Sequence, residues 1–316
     1  MAVMVVLLLT LLLSAAALGI DYGHMAWVQS ELKKAAEAGA LAGARALVPY
    51  TGTPATPNWT KAQSAATQTV LLNRANAQLL TDCTANYGYW SLTVKTLPLQ
   101  SSGINPTARD VPAVHVQIAK SAGQNGGPLQ MMFAPIFGVQ TFDLSGQAVA
   151  MISFPSGMPV GAVFPLAAAQ SIVNQYWTRN PPISFRIGSG SANGQWTSFK
   201  VNSQSASYIK GLITKGNPTV LNVNNNIYIQ TGVKASNYGD AASHAGQTVV
   251  IPLVASLSSG TERILGFVAF KIEAVSQPGK YIQGHFDKDF EITNAVGTGL
   301  PPSGSPSTSN PPKLVY

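Results

Sequence analysis

The chain has 316 residues, of which 46% are hydrophobic and only 10% are charged, against roughly 25% charged in an ordinary soluble domain; an exported, β-rich protein fits this mix better than a charged cytosolic enzyme. Its net charge of +7 comes from 19 basic residues that are scattered, with Lys33-Lys34 the densest pair, which argues against the clustered stripe of a nucleic-acid binder. A single cysteine, Cys83, leaves no intrachain disulfide and no cysteine-rich metal site.

The first twenty residues, MAVMVVLLLTLLLSAAALGI, carry no charge, and the first charged side chain is Asp21. A helix of that length spans a hydrocarbon core of about 30 Å. A secretory signal would open on basic residues and close on a cleavage site. Here no Lys or Arg precedes the apolar run and the helical pattern continues beyond it, so the expectation is a removed basic leader or a numbering that begins inside a precursor. After Asp21 there is no proline until Pro49, and alanines alternate with Glu31, Lys33, Lys34, Glu37 and Arg45, all compatible with continued helix. Lys33 and Glu37, four apart, can pair on one face. Tyr22 and Trp27 stand where an aromatic belt would meet the membrane interface. One helix over 1–47 is predicted, roughly 65–70 Å long, with 1–20 as its transmembrane or filament-core half. Ala15, Gly19 and Gly23 recur every fourth residue, as do Gly39 and Gly43; such spacing lets helix backbones approach closely, and these five are the predicted helix-packing residues.

An apolar helix followed by ALGIDYGHMAWVQSELKKAAEAGALAGARAL resembles the N-terminal signature of TadG-like proteins of tight-adherence (Flp) pilus assembly. The likeness is densest over Ala35–Leu47 and continues in VHVQIAK, PLQMMFAPIFGVQTFDLSGQAVA, VFPLAAA and RILGFVAFKIEAV. It implies a pilin-like protein that inserts in the inner membrane and is then displayed at the cell surface. Its implied partners are copies of itself and the pilus secretion machinery. Two features depart from a major pilin: Val5 stands where type IV pilins carry glutamate, and the exported region is far longer than in small Flp pilins.

Residues 48–59, VPYTGTPATPNW, read as a linker that ends the helix. A second helix is predicted over Thr60–Leu80, opened by a Thr60/Gln63 capping box. Strands follow: YWSLTVKTL and PAVHVQIAK alternate, while LSGQAVAMISF reads as more fully buried. PLQMMFAPIFGV is expected to form a short apolar helix capping the sheet, its exposed alternative being a partner surface. Further strands are predicted in PISFRIG, QWTSFKV, NIYIQTG, QTVVIPLVASL, RILGFVAFKIEAV and YIQGHFDKDFEI, with a helix in SQSASYIKGLITKG. The fold class is α+β: a long helix, then an exported domain over 60–296 of antiparallel or sandwich type. The tail, 297–316, is Pro/Ser-rich and reads as a strap or flexible linker. Its last residues, Leu314, Val315 and Tyr316, are strand-prone and are predicted to add to an exposed sheet edge of a neighbouring subunit.

No catalytic or cofactor-binding residue is predicted. His24, His115, His244 and His285 lack metal-ligand spacing, and no nucleophile elbow, phosphate loop or HExxH occurs. Asp287, Asp289 and Glu291 would share one face of a strand and could offer oxygen ligands to Ca²⁺, but a solvated strand face is the expectation. Cys83 reads as an inert small residue, and Asn58-Trp59-Thr60 is a formal glycosylation sequon only. The function expected is that of a structural pilin-like subunit or minor pilin. A membrane-anchored adhesion domain that does not polymerise is the alternative, with a metal-dependent hydrolase a distant third.

Overall fold

Buried positions on the long helix fall at Val28, Leu32, Ala35, Ala36, Ala40, Ala44 and Leu47, the three-and-four spacing of a helix with one packed face. A computed structural model of the chain describes residues 2–48, 56–107, 109–177, 179–188, 193–230, 235–258, 260–297 and 307–316; most of the predicted linker and the first part of the tail lie outside them. Helix α1 runs Ala2–Ala46 without a break. Its apolar half is exposed, and its second half lies on a sheet.

That sheet has the order β11-β3-β2-β1, from β1 (Thr84–Ser91), β2 (Asp110–Lys120), β3 (Leu144–Met151) and β11 (Lys313–Leu314). All its pairings are antiparallel. Alternation sorts the side chains. Val114, Val116, Ile118, Ala148 and Ala150 join the helix in one core, while Val111, Ala113, Val149 and Met151 pack with Trp90 on the other face. Gly146 is on the helix side, and a Cβ there would sit 2.5 Å from the Leu32 carbonyl carbon. The helix therefore rests directly on β3.

Helix α2 (Trp59–Leu71) packs beside α1 through Ala62, Ala66 and Val70. It is shorter than the predicted 60–80, and its N-cap is Asn58, whose Oδ1 accepts from the Lys61 N–H at 3.2 Å. Thr60 is not the cap, and Gln63 instead donates to the Ala85 carbonyl. Beyond Leu71 the chain makes a tight hairpin, Arg74–Ala75 against Gln78–Leu79, turned by left-handed Asn76 and Ala77.

The rest of the chain builds a second sheet from β4 (Leu166–Ala169), β5 (Phe185–Gly188), β6 (Gly194–Phe199), β7 (Asn226–Gln230), β8 (Thr248–Val254), β9 (Gly260–Ser276) and β10 (Tyr281–Phe286). Its order is β5-β10-β9-β7-β6-β4-β8, and β8 also pairs with β9. The five strands β9, β7, β6, β4 and β8 thus close on themselves, which removes the free edges of that ring. Closure depends on the 17-residue β9, whose first residues pair with β7 and whose later residues pair with β8 and β10. Trp196, Phe199, Phe267 and Phe270 are fully buried in this second core. The helices α3 (Gln170–Tyr176), α4 (Ala206–Lys215) and α5 (Ala235–Ala241) complete the fold, α4 standing where SQSASYIKGLITKG predicted a helix. The chain is α+β.

The tail ties the two sheets together. Ser307 Oγ and the Thr308 N–H donate to the Phe267 carbonyl, Thr308 Oγ1 accepts from the Ala269 N–H, and the Asn310 N–H donates to the Ser153 carbonyl. Lys313 and Leu314 then pair with Met151 and Ala150, and Val315 and Tyr316 bond to Val149. Edge-strand addition was expected on a neighbour; here Leu314, Val315 and Tyr316 are on the chain's own sheet, because the strap from β9 delivers them to the free edge of β3.

Candidate functional site

The first half of α1 makes the most unusual surface on the molecule. Among the described residues, Val3, Leu7, Leu8, Leu12 and Leu13 are all more than half exposed, Leu7 at 67%. The helix is long and apolar enough to cross a membrane, and its most apolar window buries nothing within the chain. Tyr22 and Trp27 are exposed just beyond it.

The boundary between the exposed and the packed half is Asp21, 2% exposed. Its Oδ1 accepts from the Met132 N–H at 2.9 Å, and its Oδ2 from Phe133 and Ala134 at 2.9 and 2.6 Å. A carboxylate that takes three backbone N–H groups fixes the loop that carries them, since charge-assisted bonds are the strong ones. That loop contains a short 3₁₀ turn, Ala134–Phe137, ended by left-handed Gly138. It was expected as a buried cap on the sheet. Instead Met132, Ile136, Phe137 and Val139 are exposed, Ile136 at 78%, because both faces of the sheet are already covered and Asp21 holds the loop beside the helix. Sequence reasoning found the loop and the aspartate separately. Nothing in the sequence joins them, 111 to 113 positions apart. Asp21→Ala should free the amides of residues 132–134 to exchange hydrogen as exposed loop amides do, with the β2–β3 pairing unaffected. Retained protection at 132–134 would mean that Asp21 does not hold the loop.

The small residues divide into two groups. A Cβ at Gly39 would meet Val70 at 2.6 Å and the Ala66 carbonyl at 3.1 Å; one at Gly43 would meet Val114 at 2.9 Å and the Ala62 carbonyl at 3.0 Å. Both are where α1 and α2 touch. Gly19 and Gly23 have nothing within 4 Å, and Ala15 is exposed on the same stretch.

The remaining candidates do not converge. Strand β10 stops at Phe286, so Asp287, Asp289 and Glu291 are in a turn rather than on one strand face. Asp287 accepts from Thr248, and Glu291 pairs with Arg45 at 3.2 Å. Among the described residues, no group of three or more His, Cys, Asp or Glu side chains is arranged to hold a metal, and no ion pair joins Lys33 to Glu37. His24 meets Asn76 Oδ1, His115 meets Gln147 Oε1, and His244 meets the Ile213 carbonyl. Cys83 is half-buried, and burial raises its thiol pKa, away from a reactive thiolate.

His285 pairs with Glu273 at 2.6 Å, and Ser184 donates to the same carboxylate at 2.7 Å. The Ser184 hydrogen bond, working against burial and joined by His285, holds Glu273 below the usual carboxylate pKa. A depressed carboxylate stabilises the fold above its unfolded pKa and ceases to do so as pH falls through the folded value. Glu273→Gln should therefore lower the melting midpoint at pH 7, by no more than about 2 °C for so exposed a pair. The difference should shrink as pH falls through the depressed folded pKa of Glu273, where the wild-type carboxyl also becomes neutral.

Residues 14–150 match the model of the family described as Tad-like Flp pilus-assembly. The match begins inside the apolar helix and ends in β3, so it takes in Asp21, the loop it holds, and most of the first core. Over this stretch the chain is similar to that family. No curated protein and no solved structure gives a significant match. The family likeness supports a pilus-associated role. The second sheet lies outside the matched residues.

Proposed function

We propose that this Tad-like chain is a pilin-like structural protein, held in the membrane by residues 3–20 before assembly and displaying residues 21–316 outside the cytoplasm. The observation that carries the reading is the division of α1 at Asp21: among the described residues, the second half of α1 packs into a domain, and residues 3–20 are an apolar rod with no buried side chain described. Eighteen residues of helix are about 27 Å long, close to the hydrocarbon thickness of a bilayer. Outside lipid the same rod needs other apolar surface, because each large side chain left in water costs roughly 1.5–3 kcal/mol relative to burial. Packing against the same rod of other copies supplies that surface, as in a filament core. Ala15, Gly19 and Gly23, open on the rod, would permit close helix–helix approach there. Negative-stain microscopy of sheared cell-surface material, with mass spectrometry of any filament, tests this. Filaments containing the chain are expected. A chain found only as a monomer in detergent-solubilised membranes would instead be an anchored adhesion domain.

A further inference from the structure

The loop held by Asp21 has no part in covering either sheet, yet it projects apolar side chains alongside the exposed half of α1. Between the two is an apolar groove of about 380 Å³, lined on one side by Leu13, Ala17 and Ile20 and on the other by Phe133, Ile136 and Phe137. We propose that residues 132–139 are a second membrane-inserting element, a wedge that enters the lipid leaflet next to Asp21 and seats the globular part on the bilayer. The proposal rests on the reading of residues 3–20 as membrane-spanning.

Three observations point to lipid acyl chains as the occupant. The first is continuity: most of the groove wall is the exposed half of α1 itself, so the medium around Leu13 and Ile20 also bathes Ile136 and Phe137. Leu13 is eight residues before Asp21, which puts the wedge roughly 12 Å along the helix axis from the boundary. The second is charge. Between Lys120 and Asp143 the sequence contains no charged residue and no histidine, so nothing on the loop opposes transfer from water. The third is backbone satisfaction, which a segment in hydrocarbon requires. Asp21 accepts from Met132, Phe133 and Ala134. Met131 donates to Gln140, Ile136 to Phe133, Gly138 to Pro135 and Val139 to Ala134, while Pro135 has no N–H to satisfy. Most N–H groups of this segment are therefore paired within the chain, which a surface loop does not need, because water would supply partners. Asp21 is thus a positioning residue: its charge stays at the boundary while it holds the amides of the wedge.

The test uses the full-length chain in phosphatidylcholine–phosphatidylglycerol vesicles, with Cys83→Ser as background. A single environment-sensitive fluorophore is attached through Ile136→Cys, Leu18→Cys or Val201→Cys, all at exposed positions where the core is untouched. Lipids spin-labelled on the acyl chain should quench the probes at 136 and 18 to similar extents, with loss of most of the emission, and leave the probe at 201 bright. Adding Asp21→Ala should reduce quenching at 136 and not at 18. Quenching at 18 without quenching at 136 would overturn the wedge and leave the membrane-spanning helix intact. Blue-shifted emission at 136 that lipid quenchers do not reach would overturn it in favour of cover by a second copy. Absence of quenching at both positions would overturn the helix reading and the wedge together.

Discussion

Gly146→Ala should lift the long helix off its sheet and destabilise the protein by about 3 kcal/mol, the upper part of the usual range for overpacking. The added Cβ would lie 2.5 Å from the Leu32 carbonyl carbon, 2.6 Å from the Lys33 nitrogen and 2.8 Å from the Leu32 oxygen. All three are main-chain atoms, so no side-chain rotation relieves the contact. Either α1 moves, taking Val28, Leu32 and Ala36 out of their packing, or β3 does. Gly211→Ala is the matched control. Gly211 is within α4 with open space around it, and alanine there should stabilise by about 0.4–1 kcal/mol. Thermal melts of the full chain in detergent should shift in opposite directions for the two variants; equal, small shifts would mean that α1 is not seated on Gly146.

Deleting residues 307–316 should cost more. The tail supplies partners to Phe267, Ala269, Ile292, Ser153 and Val149, and covers the outer edge of β3. At a net value near 1 kcal/mol per hydrogen bond, the loss is about 5–8 kcal/mol, comparable with the 5–15 kcal/mol that keeps a typical protein folded. The uncovered β3 edge would also be free to pair with other chains, so the truncated protein should aggregate. Thr308→Val isolates one element of this: it is nearly isosteric and deprives the buried Ala269 N–H of its acceptor, for a cost of about 1–3 kcal/mol. A truncated chain that melts like the full one would show that the strap contributes nothing to the fold.

The parts of this structure legible in the sequence are those set by local pattern. The absence of proline before Pro49 and the run of alanines mark out α1, alternation marks out β2, and a buried apolar run marks out β3, because all three follow from local pattern alone. The predicted α2 runs too far because residues 74–79 form a hairpin turned by left-handed Asn76 and Ala77, and an alanine gives no warning of that conformation. Closure of the second sheet was not legible, since β9 pairs with three other strands and the short, alanine-rich β4 has little strand character of its own. The apolar loop was read as buried by the general rule that such segments are covered. Its exposure depends on Asp21, whose partners are more than a hundred residues away. Gly39 and Gly43 carry the small-xxx-small signal of Gly19 and Gly23, yet spacing alone could not distinguish a packing face within the chain from one left open.

On the proposed reading, α1 divides at Asp21, with an apolar half in the membrane and a folded domain on its outer side. An impermeant maleimide tests it directly, added to intact spheroplasts expressing the Cys83→Ser chain with either Leu72→Cys or Leu8→Cys. Leu72 is 81% exposed on the folded domain and Leu8 is in the apolar half. Full labelling is expected at position 72 without lysis, and none at position 8 until detergent is added. Labelling at position 72 only after lysis, or at position 8 in intact spheroplasts, would contradict it.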